Sequence, residues 1–67
     1  MEITVNHQAR EIPEQHSVQQ LLSTLFPDSL KGIAVAVNQS VLARSEWPVY
    51  ILRPQDRVML IKATQGG

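Results

Sequence analysis

Cysteine is absent from all 67 residues, so no disulfide and no thiolate-bound metal can staple this chain. A cysteine nucleophile is excluded by the same fact. Charge of one sign is missing too. Six Lys and Arg balance six Asp and Glu, whereas proteins that neutralise phosphates carry a basic face, so no nucleic-acid partner is expected. The longest apolar run, Ile33 to Val37, is far shorter than the roughly 20 residues a bilayer-spanning helix needs, and no membrane association is expected. No basic stretch followed by an apolar one opens the sequence, which leads us to expect a cytoplasmic protein. Glycine-rich phosphate loops of the Walker or dinucleotide type are also lacking. What remains is a globular composition, 43% hydrophobic and 18% charged, in a chain with room for one small domain.

Alternation of period two predicts a first strand over residues 1–6, with Ile3 and Val5 on one side. Asn6-His7-Gln8 supplies turn chemistry, and Ala9 to Ile12 is expected to return as a second strand, stopped by Pro13. Ser17 followed by Gln20 has the spacing of a capping box. Val18, Leu21, Leu22 and Leu25 then fall on one helical stripe, which Pro27 ends near Phe26. After Gly32, bulky Ile33, Val35 and Val37 alternate with Ala34 and Ala36, as in a strand with its large side chains on the core. Asn38-Gln39-Ser40 turns into a short edge strand over Val41, Leu42 and Ala43, and residues 45–50 read as irregular around Pro48. A tight turn at Arg53-Pro54-Gln55-Asp56 precedes a last strand from Arg57 to Ala63. The order β-β-α-β-β-β describes an α+β domain, a five-stranded mixed sheet with one main helix across one face.

Residues suited to chemistry are few. His7 and His16 sit in loops, and Glu11 and Glu14 flank a proline that gives them no fixed pairing, so all four read as solvated surface groups. Interest moves to the terminal Gly66-Gly67, which has no side chains and suits a terminus that must thread a narrow channel and present its carboxylate. A carboxylate is a poor electrophile. As an acyl-adenylate it gains a good leaving group, and a sulfur nucleophile can then take the acyl position. On the last strand, Met59 and Ile61 should point away from the helix if Val58 and Leu60 point toward it. With Ala34 and Ala36 they would form a shallow apolar patch just upstream of the tail, an expected partner interface.

The pattern Val37-Asn38, Val41, Arg44, Trp47, then Asp56 and the terminal Gly66-Gly67 resembles the ThiS family of small sulfur carriers in thiamin thiazole synthesis, within the ubiquitin-like β-grasp group. The resemblance covers essentially the whole chain. Two positions depart from it: Ala43 stands where a proline is common, and Gln55 where a glycine is common. The resemblance implies a β-grasp domain over residues 1–63, with first and last strands parallel at the sheet centre, and a flexible tail over residues 64–67. It implies no catalytic residue and no bound cofactor in this chain. A ThiF-like adenylating enzyme would use ATP and Mg²⁺ on the Gly67 carboxylate, with Gly66, Gln65 and Thr64 threading its channel. A sulfur donor such as a cysteine desulfurase would then yield a thiocarboxylate for a ThiG-like thiazole synthase. The free chain would be a monomer. Within similar chemistry the alternative is a MoaD-like molybdopterin synthase subunit; outside it stand a ubiquitin-like protein modifier and a plain β-grasp binding module. Trp47 is expected to cover one end of the core, and Arg44 to cap a loop carbonyl or pair with Glu46 or Asp56.

Overall fold

The computed structural model describes residues 1–63. The expectations for Thr64, Gln65, Gly66 and Gly67 lie outside the described residues. Two hairpins and a final strand build one five-stranded sheet. Strands β1 (Glu2–Val5) and β2 (Gln8–Glu11) form the first hairpin, and β3 (Ile33–Val37) and β4 (Ser40–Leu42) the second, with helix α1 (Val18–Leu25) between them. Strand β5 (Arg57–Lys62) inserts between the hairpins, parallel to β1 and antiparallel to β3, so the order is β2-β1-β5-β3-β4. This is the β-grasp arrangement the sequence implies.

Both hairpins turn in two residues rather than three. Asn6 and His7 have φ of 50° and 72°, and Asn38 and Gln39 repeat those values. Successive left-handed residues make the turn whose twist matches paired strands. Gln8 and Ser40 therefore already belong to strands, β2 ends at Glu11 instead of Ile12, and β4 spans Ser40–Leu42 instead of residues 41–43. Ile12 still pairs outside the strand, donating its N–H to the Met1 carbonyl at 2.8 Å, and its side chain is buried. Strand β5 closes at Lys62, one residue short of the expected end.

Helix α1 begins with the full capping box. Ser17 Oγ accepts from the Gln20 N–H at 3.1 Å while the Ser17 N–H donates to Gln20 Oε1 at 2.8 Å, an arrangement worth about 1 kcal/mol. The next free amides of the first turn are met from the segment after a short 3₁₀ turn (Arg44–Glu46). Val18 N–H donates to the Tyr50 carbonyl at 2.9 Å, and Gln19 N–H to the Trp47 carbonyl at 3.0 Å. So the irregular segment has a structural task, which is to seat the helix. Val18, Leu21 and Leu22 then pack on Ile3, Val35 and Val58 from the sheet, with Trp47 closing one end at 3% exposure.

Two asparagines and one aspartate hold β5 in register. Asn38 Nδ2 donates to Asp56 Oδ1 at 3.0 Å, and Asn38 Oδ1 accepts from the Arg57 N–H at 2.9 Å. The other carboxylate oxygen of buried Asp56 accepts from the Arg53 N–H at 2.9 Å, closing the turn before the strand. On the far side, Asn6 Oδ1 accepts from the Leu60 N–H at 2.8 Å. Gln55 occupies that turn at φ 68°, a left-handed conformation in which a side chain is strained and glycine is not. Its N–H donates to the Glu2 carbonyl at 2.6 Å, a bond that needs no side chain.

Gln55→Gly is therefore expected to stabilise the domain by about 0.5–1 kcal/mol, read as a Tm increase of roughly 4 °C in a thermal melt. Asn38→Ala is expected to act in the opposite direction. It strips partners from both the Arg57 amide and the Asp56 carboxylate, and a urea titration should show a loss of about 1–3 kcal/mol.

Candidate functional site

The sheet has one covered face and one open face. Period-two alternation along β5 sends Val58 and Leu60 under the helix and Arg57, Met59 and Ile61 to the other side. Register then sets their neighbours: Ala34 lies opposite Ile61, and Ala36 lies opposite both Met59 on β5 and Val41 on β4. Ala34, Ala36, Met59 and Ile61 thus come together on the open face, around a shallow hollow of about 80 Å³. Ile61 is 66% exposed and Met59 38%, because two alanines beside them provide no bulk to cover them. Val41 completes this surface at 84% exposure. The sequence reading missed it as a site residue, although its alternation with half-buried Leu42 carries the same signal as that of Met59 with Leu60.

Beyond Lys62 the chain passes Gly32, whose carbonyl accepts the Ala63 N–H at 2.8 Å. Gly32 has φ 74°, and a Cβ there would stand 3.3 Å from the Ala63 carbonyl oxygen. That close approach leaves the root of the tail bonded to the sheet beside the apolar surface. The tail residues named from sequence, Thr64 to Gly67, lie outside the described residues.

Of the remaining singled-out residues, His7 adjoins this surface beside Met59, and the others lie apart from it or support the fold. Arg44 caps the Leu30 carbonyl at 2.9 Å and places its guanidinium 5.0 Å from the Trp47 ring centroid, which ties the 3₁₀ turn to the loop after the helix. It forms no ion pair with Glu46 or Asp56. Trp47 Nε1 points at the Leu42 carbonyl at 3.4 Å. Glu11 stands 3.3 Å from the Met1 ammonium on the surface, and Glu14 is exposed in the loop before the helix. His7 occupies the β1–β2 turn and borders a hollow of about 380 Å³ with Thr4, Gln39, Arg57 and Met59; His16 belongs to the loop before α1. Among the described residues no three His, Cys, Asp or Glu side chains converge as metal ligands. The buried polar residues there, Ser17 and Asp56, spend their side chains on the helix cap and the β5 turn.

Comparison with known proteins agrees with this architecture over the full chain. The family model described as the ThiS family matches residues 2–67. The sulfur carrier protein ThiS of Escherichia coli K12 is 31% identical over 67 residues, covering all of both chains. A crystal structure of the thiamine biosynthesis protein ThiS from Geobacter metallireducens superposes with a TM-score of 0.84 at 28% identity, each chain covered completely. A solution structure of a thiamine biosynthesis protein from the same organism gives 0.78 at 26% identity, covering all of this chain and 88% of the other. With the five-stranded order in place and a family match over residues 2–67, this chain belongs to the ThiS family.

Proposed function

We propose that this chain carries sulfur for thiamine biosynthesis and that Gly67 is the atom-bearing end. The observation that supports it most is the 31% identity to a named sulfur carrier over all 67 residues. In this reading an ATP- and Mg²⁺-using enzyme of the ThiF type activates the Gly67 carboxylate as an acyl-adenylate. A donor persulfide displaces AMP to give an acyl disulfide, a thiol of the sulfur-transfer partner reduces its S–S bond, and the thiocarboxylate so released delivers sulfide to a thiazole synthase of the ThiG type. Thr64, Gln65 and Gly66 thread the active-site channels of these partners. The chain acts as their co-substrate, and the reacting groups other than the carboxylate come from the partners.

The globular body contributes recognition. Val41, Met59, Ile61 and the two alanines form an apolar surface next to the tail root, so a partner that covers it also holds the terminus at its own reaction centre. Restricting a tail in this way converts an encounter between carboxylate and nucleotide into a near-intramolecular one.

Intact-mass measurement tests the carrier reading. Incubation with a ThiF-type enzyme, ATP, Mg²⁺ and a sulfur donor is expected to add about 16 Da, one oxygen exchanged for sulfur. An unchanged mass under conditions that modify the E. coli relative, or ladders of conjugates on other proteins, would overturn it. Removing Gly67 should abolish the gain while Tm stays within about 2 °C of the parent. Ile61→Asp, at an exposed position, should raise the KM for adenylation by about tenfold with a similarly small change in Tm. Unfolding instead would show that the apolar surface serves stability rather than docking.

A further inference from the structure

The two edges of β5 are finished differently. Its ladder with β3 is bounded by the Ala63 N–H donating to Gly32 and the Asn38 N–H donating to Arg57, both at 2.8 Å. That alternation turns the peptide groups of residues 57, 59, 61 and 63 toward β3, and those of Val58, Leu60 and Lys62 toward the opposite side. Strand β1 meets this opposite side only through Thr4 with Arg57 and Val5 with Val58. The chain then leaves β1 at Asn6. Here the next ladder bond is made by a side chain, Leu60 N–H to Asn6 Oδ1, because the left-handed turn has carried the Asn6 carbonyl away. Past that bond, the Leu60 carbonyl and the Lys62 N–H and carbonyl meet no hydrogen-bond partner among the described residues.

A central strand with one open edge is a template for strand addition. Next to this edge lies a groove of about 300 Å³ between the first hairpin tip and the end of the helix, lined by Val5, Arg10, Leu25, Phe26 and Leu60 among others. Its charged lining residue is Arg10. Lys62 adds a second cation, its Nζ 5.5 Å from the centroid of the Phe26 ring. An incoming strand would place alternate side chains over this groove, where apolar groups meet Leu25 and Phe26 and a carboxylate meets the two cations.

We propose that an extended, acidic segment of the adenylating partner adds to the sheet along residues 60–62, as a sixth strand that continues the line of β1 past Asn6. The proposal rests on the carrier reading for the identity of that partner. Strand addition one residue before the tail root would draw the tail out in extended form, aligned with the strand that binds it.

Lys62→Pro removes the outward N–H, while the bonds to β3 run through residues 61 and 63 and survive. Against a ThiF-type adenylating enzyme, Lys62→Pro is expected to weaken binding by about tenfold, and Lys62→Ala, which keeps the N–H and loses only the cation, by about threefold. In the wild-type complex the Lys62 amide should exchange with deuterium at least about tenfold more slowly than in the free chain. This second measurement decides the matter if Lys62→Pro fails to fold. Equal binding by the proline variant, or equal exchange at Lys62 in free and bound protein, would overturn the proposal and leave the carrier reading intact if the wild type still gains about 16 Da. A concentration-dependent dimer lost in Lys62→Pro would assign the edge to a second copy and overturn it as well. A wild-type chain that neither binds the enzyme nor gains mass would overturn both.

Discussion

The register of β5 is the constraint on which the rest depends. Side chains alternate along a strand, so a slip of one residue would send Met59 and Ile61 into the core and bring Val58 and Leu60 to the surface. Neither neighbour of β5 is joined to it by a short turn: β1 lies at the other end of the chain, and β4 and the long segment after it separate β3 from β5. Register is therefore set by long-range contacts rather than by a connecting turn. Asn38, bonded to the Arg57 amide and to Asp56, fixes where the strand begins, and Asn6 Oδ1 fixes it again at Leu60. Both asparagines occupy the first left-handed position of a hairpin turn, so one residue type meets two requirements. Its side chain tolerates positive φ and supplies an amide for a distant backbone group.

Much of the fold was legible because its signals are local. The apolar stripe and the Ser17–Gln20 pair mark the helix start to the residue, and Pro27 marks its end at Leu25 with Phe26 as the cap. The alternation of bulky residues with alanine in β3 gave the faces of the sheet, and with them the surface formed by Ala34, Ala36, Met59 and Ile61. Strand ends were less legible. His7 and Gln39 adopt positive φ without being glycine, so turn chemistry read from residue type lengthened two turns that close in two residues.

The resemblance gave the parallel pairing of β1 with β5, but the individual long-range bonds were not legible, and the reason is physical. The bond from Leu60 to Asn6 crosses 54 residues, and nothing in either local sequence distinguishes that asparagine from an ordinary turn former. The segment after β4 carries no periodicity, since its task is to present the Trp47 and Tyr50 carbonyls to the helix start. Backbone groups do that work, and backbone groups leave no trace in residue identity. Only Trp47 and Arg44 advertise it, as the aromatic lid and the guanidinium that stacks on it and caps Leu30.

Apolar surface, core and open edge are separated along β5 in a way that follows from the same register. Its outward side chains belong to the apolar surface, its inward ones to the core, and its peptide groups past Leu60 to the open edge beside the hairpin tip. A partner that meets surface and edge together reads two perpendicular directions of one strand, which fixes both its position and the direction in which the chain runs toward Gly67. A contact to the apolar surface alone would permit rotation about the sheet normal, because van der Waals packing against alanine and isoleucine has little directionality. Hydrogen bonds to the Leu60 carbonyl and the Lys62 amide would remove that freedom, since they are made only along the strand direction. In that proposal the backbone of β5 would orient the tail root, while backbone and side chains together would contribute affinity.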